Sequence, residues 1–280
     1  MTIGLICGSG IEEFIEGEER STMRTPYGDV YLIHGEMGGV KVTLIPRHGL
    51  KHEKPPHRVN YRGNVYALRA NMIEKAIGIS AVGSLNLFFR PGDLIVIDQF
   101  IDFTKGRATT FYENEAVHVD ATEPYCPTIR RILHTSGKRL ALRIYDHGTY
   151  ICTEGPRFET KAEIRLFNLL GADVVGMTNI PEVVLAREMG LCYATLCVVT
   201  NWAAGIQERV SMEEVCVLMD QKKEDVKALL GEALPRIDEA ERCPGCLEMD
   251  AKAERWIKEL KAHQDTKPLH NNQETIRGKQ

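Results

Sequence analysis

GADVVGMTNIPEVVLAREMGLCYATLCVVTNW, residues 171–202, sets the fold class. It holds two short apolar runs, 173–177 and 193–200, and each leads into side chains that carry a hydroxyl or an amide, over 176–182 and 199–203. Runs of that length and β-branched composition read as strands. Upstream, runs of the same kind recur near 3–7, 30–34, 40–46, 79–83, 94–100 and 149–153, and helical patterns fall between several of them. Alternation from residue 3 to about residue 200 predicts an α/β fold, a mixed twisted β-sheet flanked by helices, and not a sandwich. Val65, Ala67, Leu68, Met72, Ile73 and Ala76 form a helical stripe over 61–76. Thr160 with Glu163, and Ser211 with Glu214, match the capping box, in which a hydroxyl and a carboxylate satisfy the free amides of a helix start. Residues 211 to about 242 read as a long amphipathic helix, Cys243-Pro244-Gly245-Cys246 as a turn, and 250 to about 262 as a second helix. With no internal repeat and no linker, residues 1–262 are expected to form one domain with a helical carboxy-terminal lobe. Residues 263–280, around His270, Asn271, Asn272 and Gln273, are too polar for a core and read as a disordered tail.

Composition narrows the function classes. Of 280 residues, 43% are apolar and 26% charged, close to the globular average, which excludes a coiled coil or a largely disordered chain. Thirty-five basic against 39 acidic side chains give a net charge of −4, and the Lys and Arg residues gather on no stripe, so no nucleic-acid partner is expected. The amino terminus runs straight into a strand-like stretch without a leader pattern, and no apolar run approaches the ~20 residues that cross a bilayer. A cytoplasmic protein with no membrane partner is the expectation. Cys7, Cys152, Cys192 and Cys197 sit in apolar runs, where a thiol acts as a small hydrophobe. Only Cys243 and Cys246 have suggestive spacing, two of the four ligands a structural zinc needs, with no second pair following. A local disulfide, an inter-subunit metal clip and two free surface thiols are the alternatives.

The chemistry concentrates where strands end. Gly8-Ser9-Gly10 follows the first strand, at the carboxyl edge where open α/β sheets bind ligands, and its amides and hydroxyl suit an anion. It is neither a dinucleotide fingerprint, since Glu13 stands where the third glycine belongs, nor a nucleophile elbow, since Cys7 replaces the first. Arg47 and His48, in PRHG, pair a guanidinium with an imidazole donor, which is phosphate-binding equipment or else a surface ion pair. His52 and His57 in the following Pro-containing loop have no spacing that dictates a metal site. Ser80 and Ala81 open SAVGSL, a buried run leading into residues small enough for close backbone approach. Phe158 and Glu159, in EGPRFET, place a ring and an acid before a helix, fit for a flat heterocycle or else for a core Phe and a solvated first-turn Glu. Five polar strand ends, no lysine suited to a Schiff base and no metal constellation describe a site that binds and polarises, with no covalent attack by the protein.

Taken in order, GSG, PRHG, SAVGSL, PGDLIVIDQFID, EGPRFET and the 171–202 stretch resemble the trimeric purine nucleoside phosphorylases, in the methylthioadenosine phosphorylase branch, from Ile3 to about residue 240. The resemblance implies a nucleoside phosphorylase fold, a homotrimer or dimer of trimers, and phosphorolysis of a purine nucleoside with inorganic phosphate as co-substrate and no metal or organic cofactor. By the same resemblance Ser9, Arg47, His48, Ser80, the Ala81 amide and Thr178 would hold phosphate, Met177 would lie against the ribose, and Phe158 would lean on the purine. The loop from His118 to Cys126 would reach a neighbouring subunit's site. Adenine-specific members carry Ser, Asp and Asp where this chain has Glu159, Asn201 and Ala203. Those three residues match the 6-oxopurine-specific phosphorylases, in which the Asn stabilises the leaving base and the Glu accepts from N1–H. Hypoxanthine presents a donor at N1 and an acceptor at O6, and adenine the reverse. Fourteen positions past the Asn, where those enzymes place a His for the 5′-hydroxyl, stands Val215, with Met212 on the same helix, which suits a methylthio group or is simply core. The expected substrate is 5′-methylthioinosine, yielding hypoxanthine and 5-methylthioribose 1-phosphate. The alternatives are a methylthioadenosine phosphorylase, a broad 6-oxopurine nucleoside phosphorylase, and a nucleoside-binding protein without turnover.

Overall fold

A computed structural model describes residues 1–8 and 15–265. The elements are β1 (Ile3–Cys7), β2 (Glu16–Thr25), β3 (Gly28–Met37), β4 (Val40–Pro46), α1 (Tyr61–Ala70), β5 (Lys75–Ser84), β6 (Leu94–Val96), β7 (Gln99–Phe103), α2 (Pro127–Arg139), β8 (Ile144–Tyr145), β9 (Thr149–Thr153), α3 (Lys161–Leu169), β10 (Val174–Gly176), α4 (Asn179–Glu188), β11 (Cys192–Trp202), α5 (Met212–Glu239), α6 (Pro244–Leu247) and α7 (Asp250–Asp265). Eleven strands form one mixed sheet in the order β2-β3-β4-β1-β5-β10-β9-β7, from which β11 branches off β5 and carries β6 and β8. This is the expected α/β architecture.

β5 is the hub. One edge pairs with β11 from Lys75 to Ser84. The other pairs with β1 only as far as Gly78, and with β10 only from Gly83. Residues 79–82 therefore have no strand on that side among the described residues. The sheet opens there, between the carboxyl ends of β1 and β10. Cores fill both faces: Val65 and Leu68 of α1, Val183 and Leu185 of α4 and Ile257 of α7 on one, and Leu133 of α2 with Leu229, Leu230 and Ile237 of α5 on the other. At Gly78 an added Cβ would stand 1.9 Å from the Tyr193 hydroxyl, so only glycine lets β5 pass that ring.

Several elements depart from the sequence pattern for local reasons. The first helix ends at Ala70 and not near 76, because Asn71 caps it and Met72 turns into the left-handed region at φ 58°. Met72 is 85% exposed, so its place in the stripe was coincidental. The 94–100 run is two strands: β6 lies antiparallel to β11, and after Ile97 and Asp98 the chain joins β9 as β7. β2 carries almost entirely exposed side chains and so had no apolar alternation to show. Thr160 and Glu163 form the full capping box, whereas at the start of α5 Ser211 accepts from the Glu214 amide, one half of the box. The long helix stops at Glu239, and α7 extends to Asp265, three residues into the expected tail; residues 266–280 lie outside the described residues. No helix among the described residues is long and apolar enough to cross a membrane.

The cysteines also depart from expectation. Cys243 and Cys246 are not surface thiols but are buried, and Cys126 and Cys192 join them, with all four sulfurs within 4.8 Å of one another. Sequence separation hid this grouping. Cys126 is therefore buried in its own subunit, where the loop it ends was expected to serve a neighbour.

Candidate active site

The opening in the sheet is the mouth of a cavity of about 790 Å³. Strand ends supply its walls: Gly8 after β1, Arg47 and His48 after β4, Ser80 and Ala81 within β5, Phe158 and Glu159 after β9, Met177 and Thr178 after β10, and Asn201 and Ala203 at the end of β11. Met212 and Val215 close it from the first turns of α5. Every candidate residue from the sequence lines this one cavity except Ser9, which lies outside the described residues.

One end gathers hydroxyls, backbone groups and a guanidinium N–H, donors of the kind an anion accepts from. Along β5, peptide groups alternate between its two edges, so that those of Ile79 and Ala81 face the open side. The Ile79 carbonyl there accepts from Arg47 Nη1 at 2.8 Å. Nearby, the hydroxyls of Ser80 and Thr178 meet at 3.2 Å, and the Thr178 amide donates to the Tyr150 hydroxyl at 3.3 Å. Gly176 makes room for that phenol, since a Cβ would stand 2.0 Å from it. Arg47 is buried, and its fork is spent on Glu182, with Nε to Oε2 at 2.8 Å and Nη2 to Oε1 at 2.7 Å. Nη2 also donates to the Ile6 carbonyl at 3.0 Å, so one N–H of the five, on Nη1, remains for a ligand. Burial disfavours the guanidinium charge, and the Glu182 carboxylate more than offsets it. His48 is neutral at pH 7, since burial and the neighbouring Arg47 push its pKa down to about 4. Its Nδ1 faces the Lys54 carbonyl at 2.7 Å, which places the ring proton there and leaves Nε2 as an acceptor. The sequence suggested an imidazole donor; the fold presents a neutral ring whose Nε2 is suited to accept a hydrogen bond.

The opposite end carries an acid and an amide. Thr153 donates to Glu159 Oε1 at 2.7 Å, while burial pushes the Glu159 carboxyl above the usual carboxylate range. β11 shifts register between Val199 and Asn201, the irregularity that re-aims a side chain at a strand end. Thr200 Oγ1 then donates to Asn201 Oδ1 at 2.8 Å, and Asn201 Nδ2 donates to the Trp202 carbonyl at 2.8 Å. One amide N–H of Asn201 is left to donate. Phe158 and Val175 supply apolar wall, and Ala203 keeps the strand end free of a second acid.

Between the two ends, Tyr61 donates to the Met177 carbonyl at 3.4 Å. Val215 is half-buried and Met212 exposed, so neither belongs to the core of α5; both face the cavity beside Met219. Asp220 and Lys223 stand farther along the same wall.

Sequence reasoning missed the supports. Glu182 is fully buried between Arg47 and the Tyr193 hydroxyl, which donates to Oε1 at 2.6 Å. Thr153, Thr200 and Tyr150 orient Glu159, Asn201 and Thr178 respectively. The one available signal was an acid, Glu182, inside an apolar helix pattern.

Comparison with known proteins agrees with this architecture. The model of the phosphorylase superfamily matches residues 2–235. A 6-oxopurine nucleoside phosphorylase of Pyrococcus furiosus is 47% identical over 254 residues, covering 87% of this chain and 96% of that relative. An S-methyl-5′-thioadenosine phosphorylase of the same organism is 46% identical over 250 residues, covering 88% and 96%. The crystal structure of a methylthioadenosine phosphorylase from an antarctic soil metagenomic library superposes with a TM-score of 0.81 at 34% identity, over 88% of this chain and 89% of the other.

Proposed function

The chain belongs to the phosphorylase superfamily and is a purine nucleoside phosphorylase, a pentosyltransferase, and from that premise we propose that its preferred substrate is 5′-methylthioinosine. The observation that carries this reading is the pair Glu159 and Asn201, each held by a threonine hydroxyl in one cavity. Ionised Glu159 accepts from N1–H of hypoxanthine, and the spare N–H of Asn201 donates toward O6 and N7. Against adenine the carboxylate meets an acceptor at N1. Leaving such buried groups unpaired costs about 1–3 kcal/mol each. The similarity to a 6-oxopurine phosphorylase supports the base assignment, and the similarity to methylthioadenosine phosphorylases, with Val215, Met212 and Met219 on the wall, supports an apolar 5′ group.

Phosphate sits at the open edge of β5, held by the Ala81 amide, the Ser80 and Thr178 hydroxyls and the remaining Arg47 N–H. His48 Nε2, on a ring that stays neutral, accepts a hydrogen bond from a protonated phosphate oxygen and orients the anion. Cleavage of the glycosidic bond builds positive charge on the sugar, which the anion stabilises before its oxygen bonds to C1′. The electron pair of the broken bond flows into the purine, and Asn201 stabilises it there. Phosphate is a co-substrate, and no cofactor takes part. The assembly we propose is a homotrimer; Leu87, Phe88 and Leu169, 68%, 80% and 86% exposed, are surface that a second subunit would cover. Light scattering on the purified protein reads the subunit number.

Steady-state kinetics on methylthioinosine, methylthioadenosine and inosine with phosphate present test the substrate. Methylthioinosine is expected to give the highest kcat/KM. A clear win for methylthioadenosine overturns the base assignment, and equal rates for inosine favour a broad 6-oxopurine phosphorylase, the reading that Asp220 and Lys223 near the 5′ wall support. Purine release without phosphate dependence excludes phosphorolysis altogether.

Two further outcomes follow from the same residues. Asn201→Ala is expected to lower kcat about 100- to 1000-fold, as loss of one preorganised donor does elsewhere, with a smaller change in phosphate KM. The second is a pH effect. Glu159 is displaced upward, so as pH falls it takes up a proton earlier than an ordinary carboxylate. Protonated, it donates, which suits adenine N1 and opposes N1–H. The ratio of methylthioinosine to methylthioadenosine kcat/KM should therefore fall as pH is lowered, and Glu159→Gln should flatten that profile.

A further inference from the structure

We propose that Cys126, Cys192, Cys243 and Cys246 together hold one thiophilic divalent metal ion of the zinc class in a closed structural site. Three separate parts of the chain meet here. Cys126 precedes α2 and its amide donates to the Tyr193 carbonyl at 2.7 Å; Cys192 opens β11; Cys243 caps α6 and Cys246 lies within it. All four thiols are buried, and all four sulfurs lie within 4.8 Å of one another, with Cys126 to Cys243 at 3.7 Å and Cys243 to Cys246 at 3.0 Å. A tetrahedral zinc with four thiolates at ~2.3 Å separates its sulfurs by about 3.8 Å, so the observed group needs only small adjustment. The Cys-x-x-Cys turn is the spacing that places two thiolates on one ion.

The surroundings fit the charge such a site carries. Binding exchanges four thiol protons for one dication and leaves a net charge of −2. Arg187, itself buried, directs Nη1 to the Cys246 sulfur at 3.8 Å and Nη2 to the Asp120 carbonyl at 2.9 Å. Among the described residues, no carboxylate lies within ion-pairing distance of Arg187. The Asp120 carboxylate, held below its ordinary range by the Thr122 amide and in part by the Arg187 charge, is one counter-charge nearby; a dianionic metal site against Nη1 would be a closer one. With four protein ligands the site has no open position, and it lies nine residues along β11 from Asn201, about 30 Å away. Its role is to fasten the carboxy-terminal helices to the sheet, not to take part in phosphorolysis.

The test measures bound metal by elemental analysis of the full-length protein, purified without chelator, together with intact mass under non-reducing conditions. About one zinc per chain is expected, with all cysteines reduced. Cobalt(II) exchanged into the site should show the absorption of tetrahedral thiolate coordination. Cys246→Ser should abolish that spectrum, while Cys216→Ser, which removes an exposed thiol outside the group, should leave it unchanged. Metal removal by a chelator should lower Tm while kcat on methylthioinosine at moderate temperature is retained. A mass lower by four hydrogens with no metal identifies two disulfides and overturns the proposal. So does fully reduced wild-type protein that takes up neither zinc nor cobalt. Metal content, intact mass and the cobalt spectrum do not depend on the substrate assignment.

Discussion

Glu182→Gln is expected to lower the free energy of unfolding by about 3–5 kcal/mol, because it leaves the Arg47 guanidinium charged and unpaired in the interior. Both side chains are nearly inaccessible, at 2% and 1% exposure, so solvent cannot replace the lost carboxylate. Denaturant midpoints of the purified variant measure the loss. Adding Arg47→Met should restore much of the stability, since the pair is then gone from both sides, yet phosphorolysis should stay impaired because the phosphate end has lost its guanidinium. Recovery of activity in the double variant would remove Arg47 from that end. Unchanged stability in the single variant would mean that Tyr193 and the two backbone carbonyls suffice to hold the arginine.

Exchange of the base edge is the second large effect. Glu159→Ser with Asn201→Asp removes the acceptor opposite N1 and replaces the amide with an acid. Two mismatches of about 1–3 kcal/mol each, at tenfold per 1.4 kcal/mol, shift the ratio of methylthioinosine to methylthioadenosine kcat/KM by about 30-fold or more toward the 6-aminopurine. An unmoved ratio would show that the base is recognised elsewhere. The supports shape the outcome: Thr153 loses its partner in the serine variant, whereas Thr200 can still donate to the aspartate.

The sequence exposed what it places at strand ends. Glycines, hydroxyls and amides following apolar runs are out of pattern for a core, and Thr178 and Asn201 announced themselves that way, whereas Ser80 lies in the middle of β5. What it concealed lies inside the pattern. Glu182 sits in a helix whose neighbours are apolar, and only the arrival of Arg47, 135 residues earlier in the chain, gives it meaning. Cys192 looked like one more small hydrophobe of β11 until the fold set Cys243 and Cys246 against it. β2 left no trace because its side chains are exposed, so nothing but backbone pairing with β3 makes it a strand. Local composition reveals surfaces that face a ligand; pairings made at long range through burial leave the composition unchanged.

The four residues over which one edge of β5 has no neighbouring strand among the described residues carry a consequence for how this scaffold diversifies. On the proposed assignment the anion rests on the frame itself, and the segments proposed to judge the rest of the ligand lie off it: Glu159 in a loop, Asn201 past an irregular rung, and Val215 on a helix turn outside the core. Each can change without disturbing the ladder. Lineages built on this chassis can trade one heterocycle or one sugar substituent for another in single steps, keeping the reaction while altering what is admitted to it.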